Sequence, residues 1–422
     1  MHLLAVTGGR VRQALIQQVI WSGRMFARLR ALPSRAREEV GRDRRGLFPE
    51  DPGSEVAVHE AIAWLKRAQD HSVTQDGGVA RHYCLITGWG PSYPETTGYL
   101  VPTMLRYARL SGDRSSSDRA KKMLDWLVSL QFPDGGFPGG TIADRPQVPV
   151  TFNTGQILVG LAEGARVFEE TYREPMRRAA DWLVATQDPD GCWRRHPSPF
   201  TVSGEKTYET HVAWGLLEAA RVMPSRRYGE AALANVHWAL RWQMENGWFD
   251  RCCLSHPSQP QTHTIGYVLR GIVEAYRFSK DPVFLGAARR TADGLLNAIG
   301  GDGFIPGRLR SDWRGTTPWA CLTGTVQIAH CWLMLYQDTG RSEYLEAARK
   351  ANRFVRRTMR IDGPPETRGG IKGSFPVHGL YSPFQYLNWA AKFLIDANLL
   401  EMELEGRRLQ GQSDGVFTAG PA

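Results

Sequence analysis

Two acids stand where chemistry would need them. Glu95 lies in "GWGPSYPETTGYLVP" (88–102) and Glu209 in "TYETH" (207–211), each ahead of a Thr and an apolar-periodic run. A carboxyl pair at equivalent places is the inventory of a general acid and a general base. The run "ARHY" sets Arg81, a carboxylate-binding type, beside His82 and Tyr83, which are proton-transfer types. Tyr208, His211, His263 and Tyr381 stand at comparable junctions and join the catalytic candidates. Asn153, Arg314, His378 and Gln385 are candidates for holding a substrate by its polar groups. Trp89, Tyr93, Trp313 and Trp319 offer flat faces of the kind that pack on the C–H faces of a sugar. Plainer readings stand beside these. Either glutamate could complement a helix dipole, His211 could be a satisfied core histidine, and Trp193, Trp248 and Phe137 could plug turns.

The elements that must hold these residues repeat six times. One helix series begins near residues 55, 117, 173, 228, 281 and 341, each with apolar residues at i, i+3, i+4 and i+7 opposite Arg, Lys and Glu. A second series follows each of these across a Gly-rich connector: "TTGYLVPTMLRYARL", "NTGQILVGLAEGARV", "ETHVAWGLLEAARV", "TIGYVLRGIVEAYRF", "GTVQIAHCWLMLY" and "FQYLNWAAKFLIDANL". These helices carry few charges in their middles, so they are buried on most sides. The pattern predicts an all-α chain with an (α/α)6 barrel of six hairpins over 55–404, the second series lining its inside. The connectors into the inner helices are long and the returns short, so one face collects the loops and the site. Thr96, Gln156, Thr264 and Tyr267 fall at corresponding inner-helix positions.

At the connectors the chain resembles the α/α-toroid superfamily. Gln131, Gly135 and Phe137, then Gln187, Gly191 and Trp193, match the QxxxGx[FW] repeat of terpenoid cyclases and prenyltransferases. The "DGG[FW]" turn is also that of six-hairpin carbohydrate enzymes, among them unsaturated glucuronyl hydrolases, N-acylglucosamine 2-epimerases and polysaccharide lyases. No DxDD or DDxxD acid motif occurs, so the terpenoid branch lends no catalytic residue. The chain is also similar to proteins of bacterial exopolysaccharide biosynthesis clusters. The resemblance implies a saccharide substrate and no cofactor.

Two mechanisms use this inventory. On a uronic-acid-containing saccharide, Arg81 or Arg314 would bind the carboxylate with help from Asn153. The His and Tyr candidates would then move the C5 proton, giving an epimerase or a lyase. In an inverting glycoside hydrolase, Glu95 and Glu209 would be acid and base. A non-catalytic glycan-binding toroid and a terpenoid cyclase or prenyltransferase are the other readings.

Composition narrows the rest. Net charge is +9, about half of it from the first 54 residues with their ten arginines, and the remainder is a mild excess suited to an anionic ligand. No nucleic-acid motif appears. Six scattered cysteines without CxxC pairs predict reduced thiols, no zinc site and a cytoplasmic setting. Residues 1–32 read as a basic amphipathic helix that packs on the body or touches an anionic membrane surface. Residues 33–54 read as a charged linker, and 405–422 as a disordered tail.

Overall fold

The computed structural model describes residues 31–202, 204–224 and 226–409. The predicted basic helix before residue 31 and the tail after 409 lie outside these. Among the described residues are thirteen α-helices: α1 (Ser34–Asp43), then six outer and six inner helices in alternation. The outer series is α2 (Ser54–Asp70), α4 (Arg114–Ser129), α6 (Glu170–Thr186), α8 (Arg226–Leu240), α10 (Pro282–Leu296) and α12 (Ser342–Arg356). The inner series is α3 (Pro94–Ser111), α5 (Thr151–Val167), α7 (Thr210–Val222), α9 (Thr262–Ser279), α11 (Leu322–Thr339) and α13 (Asn388–Leu404).

Each inner helix packs on its two inner neighbours, and α13 returns to α3, so the ring is closed. The tight hairpins run from an inner helix to the next outer one. Two-residue returns such as Gly112–Asp113 suffice, because Gly112 takes φ +78° and the Asp113 carboxylate caps α4 at Ser115 N. The sixth hairpin joins the two ends of the barrel, with α13 packing on α2.

The connector repeat has a physical cause. Gly135, Gly191, Gly247, Gly303 and Gly369 share a positive φ and one turn, and a Cβ there would meet the backbone of the next outer helix. The glutamine of the repeat staples that contact: Gln131 Nε2 donates to Gly135 O and to Pro175 O on α6, and Gln187 does the same for Gly191 and Ala231 on α8. The inner ring is held by close helix approach. A Cβ on Gly98 would lie 2.5 Å from Ile157 Cα, and one on Gly155 would lie 2.8 Å from Val212 Cα.

Two features depart from the sequence reading. Short strands stitch the connectors: β1 (His82–Cys84) pairs antiparallel with β2 (Gly88–Trp89) and β5 (Gln385–Leu387), and β3 (Ala320–Cys321) pairs with β4 (Ser374–Phe375). The segment expected as a charged linker instead contains α1, whose Glu39, Arg42 and Asp43 are buried. Lys372 Nζ bonds Glu39 at 2.9 Å and Asp43 at 2.6 Å, and Arg42 pairs with both acids. Burial alone would raise the Glu39 carboxyl, but Lys372 and Arg42 hold it down to about 2. No described helix is long and apolar enough to cross a membrane.

The close approach makes a test. Gly160→Ala, whose Cβ would strike the Gly98 carbonyl, should cost about 1–3 kcal/mol in urea unfolding. Gly41→Ala on α1 meets nothing within 4 Å and should be neutral or stabilising by about 0.5–1 kcal/mol. Equal effects would mean that the inner helices are not limited by these contacts.

Candidate active site

The loop face opens into a cavity of about 130 Å³ at the barrel axis. Four of its walls are the second residues of inner helices: Glu95 on α3, Phe152 on α5, His263 on α9 and Trp389 on α13. One turn deeper, Tyr99 and Tyr267 line its floor. The same helical period places them, since residues i and i+4 share a face. Arg81, Tyr93, Tyr208 and Tyr381 enter from the connectors, and Ser198, Phe200 and Thr201 form part of the rim.

Polar groups are arranged in two clusters. In the first, Tyr93 donates its hydroxyl to Glu95 Oε2 at 2.8 Å, and the Arg81 guanidinium lies 5.6 Å from the Tyr93 ring and 5.3 Å from that of Trp389. Burial pushes the Glu95 carboxyl up to about 7, against the lowering pull of Tyr93 and Arg81. In the second, the His263 ring stands 4.8 Å from that of Tyr381 and 5.6 Å from that of Tyr267. Burial, then the charge of Arg308, takes His263 down to about 3, so it is a neutral imidazole whose Nδ1 has no partner. Trp389 Nε1 donates to Tyr381 Oη at 2.9 Å and ties the clusters together. In a ring of six, α3 and α9 are three places apart, so Glu95 and His263 face each other across the axis.

The remaining expectations fall elsewhere. Glu209 lines a neighbouring chamber of about 280 Å³ that adjoins the central cavity at Phe152 and Tyr208, which border both spaces. There burial pushes its carboxyl up to about 8, against Lys206 and Arg194. His211 is fully buried below the cavity, its Nδ1 2.6 Å from Gln156 Oε1, and Asn153 is buried on α5 without lining the space. The candidate His82 turns away because strand residues alternate, and its ring lies against Gly90. Tyr83 instead accepts a hydrogen bond from Arg35 of α1, and Trp89 packs on Trp64, His71 and Tyr83.

Trp313 is a structural wedge, donating to Asn246 O and edged against Trp248. Arg314 is 79% exposed beside Asp312, so it anchors nothing in the cavity. Trp319 is buried over Gly307, His378 is exposed, and Gln385 belongs to β5; none lines the cavity. Tyr99, Phe152 and Trp389 carried no expectation. Their signal is position: second residue of an inner helix, or four residues on. Among the described residues no three His, Cys, Asp or Glu side chains converge as a metal site requires.

This geometry can be compared with known proteins. The squalene-hopene cyclase C-terminal domain family matches residues 91–274. A search of curated proteins gave no match. Among solved structures, an unsaturated glucuronyl hydrolase specific for heparin superposes with TM-score 0.69 at 16% identity, covering 86% of this chain and all of its own. The chain is an α/α toroid. D-mannose isomerase is similar too, with TM-score 0.66, 12% identity and 83% and 97% coverage of this chain and its own. Cellobiose 2-epimerase from Bacillus thermoamylovorans has TM-score 0.62, 11% identity and 81% and 96% coverage. At these identities the likeness is one of fold.

Glu95 links protonation to stability. Its folded-state value of about 7 exceeds the ordinary 4.5, so the fold holds this proton more tightly than the unfolded chain does. The stabilisation is complete below about pH 4.5 and is lost as pH rises to about 7. Glu95→Gln keeps an acceptor for Tyr93 and cannot ionise. At pH 8 it should therefore be more stable than the parent by at most about 3 kcal/mol, less whatever the cavity's water screens, with the gain vanishing near pH 4.5. Urea unfolding at both pH values checks this.

Proposed function

We propose that the axial cavity is the active site of an enzyme that moves a proton on an acidic saccharide, at the carbon beside a ring carboxylate. The observation that carries this reading is the placing of Glu95 and His263 at one depth on opposite sides of the axis, with Arg81 beside them. Arg81 binds the substrate carboxylate and stabilises the negative charge that spreads onto it when the C5 proton leaves. His263, neutral at pH 7, accepts that proton. Glu95, protonated up to about pH 7, returns a proton to the opposite face of C5, which inverts that carbon, or to the leaving oxygen, which eliminates it. Trp389, Tyr93 and Tyr381 supply the faces against which a sugar ring packs. Similarity in fold to a hydrolase of unsaturated glucuronyl units, an epimerase of cellobiose and an isomerase of mannose supports a saccharide substrate.

The paired-glutamate hydrolase reading loses support because Glu95 and Glu209 open into different chambers. One observation favours a terpenoid reading instead: half of the residues bordering the cavity are aromatic, the lining that stabilises a carbocation, and the squalene-hopene cyclase profile matches here. The cation of Arg81 at the same cavity weighs against it.

Incubation with uronides in deuterated water separates these outcomes. Deuterium at C5, or a new double bond, is expected, with kcat/KM falling as pH rises through about 7. Glu95→Gln should lose at least about a hundredfold in rate, and Arg81→Met should both raise KM and lower kcat. Fully retained turnover in Glu95→Gln, or cyclisation of a prenyl substrate without uronide exchange, would overturn the proposal.

A further inference from the structure

The chamber holding Glu209 has no part in the proton transfer above, yet it is built of groups that lack partners. Lys206 is only 6% exposed and Glu209 only 7%. Lys206 makes no hydrogen bond or ion pair among the described residues. Glu209 Oε2 likewise has no partner. The Lys206 stem is buried while the residue lines the chamber, so its ammonium has no hydrogen-bonded acid and is available to an anionic ligand. The other cation at the chamber, Arg194, is already taken by Asp188, Asp190 and Glu205. Burial keeps the Glu209 carboxyl protonated to about pH 8, so it does not neutralise Lys206 at pH 7 and can exchange hydrogen bonds with a hydroxyl. The chamber therefore presents one uncompensated positive charge, one hydroxyl-binding carboxyl and the flat ring of Phe152.

Its position relative to the central cavity is the second observation. Phe152, Ser198, Thr201 and Tyr208 border both spaces, so a chain of sugar rings could run from one to the other past the Tyr208 ring. Phe200, 52% exposed, stands at the rim of the central cavity on the same segment.

We propose that this chamber is a second saccharide subsite, in which Lys206 takes the anionic group of the neighbouring residue and Glu209 a hydroxyl. The substrate is then an acidic saccharide of at least two residues with an acidic group on each. The choice of a saccharide rests on the reading of the central cavity; the anion site on Lys206 does not.

Calorimetric titration of mono- and diuronides of galacturonate, glucuronate and mannuronate tests the subsite. A diuronide should bind at least about tenfold tighter than its monomer, and in Lys206→Met that ratio should collapse towards one. Inorganic sulfate is the second probe: it should raise the melting temperature of the parent saturably and that of Lys206→Met not at all. Lys206→Gln serves if the methionine variant does not fold. If no uronide binds but sulfate still acts through Lys206, the saccharide reading fails and the anion site stands. A diuronide preference that survives in Lys206→Met, or a sulfate response indifferent to the substitution, overturns the subsite.

Discussion

The structure depends on one repeated contact: a turn glycine pressed against the backbone of the next outer helix. No side chain fits at Gly135, Gly191, Gly247, Gly303 or Gly369, and the positive φ that each adopts turns the chain from the outer layer towards the axis. Because Gly369 docks on Glu60 of α2, the last turn is seated by the first outer helix and the series closes. These five turns, with a looser one at Gly77, bring the inner helices to a common starting level. That is why Glu95, Phe152, His263 and Trp389, each second in its helix, meet around one cavity.

Burial then decides the chemistry of what meets there. The same desolvation that pushes Glu95 and Glu209 up takes His263 down, so near neutral pH the central cavity holds a half-protonated carboxyl and an uncharged imidazole, and the adjoining chamber a protonated carboxyl. Two buried lysines show how far neighbours set the outcome. Lys372 is locked between Glu39 and Asp43 and serves the fold, joining α1 to the last connector. Lys206 makes no such hydrogen bond or ion pair among the described residues and lies beside a cavity.

Much of the scaffold was legible because it rests on local rules. Gln131 and Gly135 announce a staple and a positive-φ turn, and the charged faces of the outer helices announce an outer layer. The run "SRAREEVGRD" misleads for the opposite reason: its charges suggest solvent, and only Lys372, more than 300 residues away, makes their burial tolerable. Within the site, Tyr93, Glu95, His263 and Tyr381 followed from their place at the inner-helix junctions. Tyr83, Trp89 and Trp313 carry the same side-chain chemistry but are used for packing, against Arg35, Trp64 and Trp248.

The sequence by itself determined the repeat, the alternation of outer and inner helices and the face on which the loops gather, since periodicity and backbone freedom are properties of neighbouring residues. Only the tertiary structure decided which connector residues reach the axis. Arg81 and His82 are adjacent, yet strand pairing sends one to the cavity and the other against Gly90. Glu95 and Glu209 sit at similar junctions, yet they open into two adjoining chambers that meet at Phe152 and Tyr208. Direction, partition and desolvation arise from packing between residues far apart in the chain, and no local pattern encodes them.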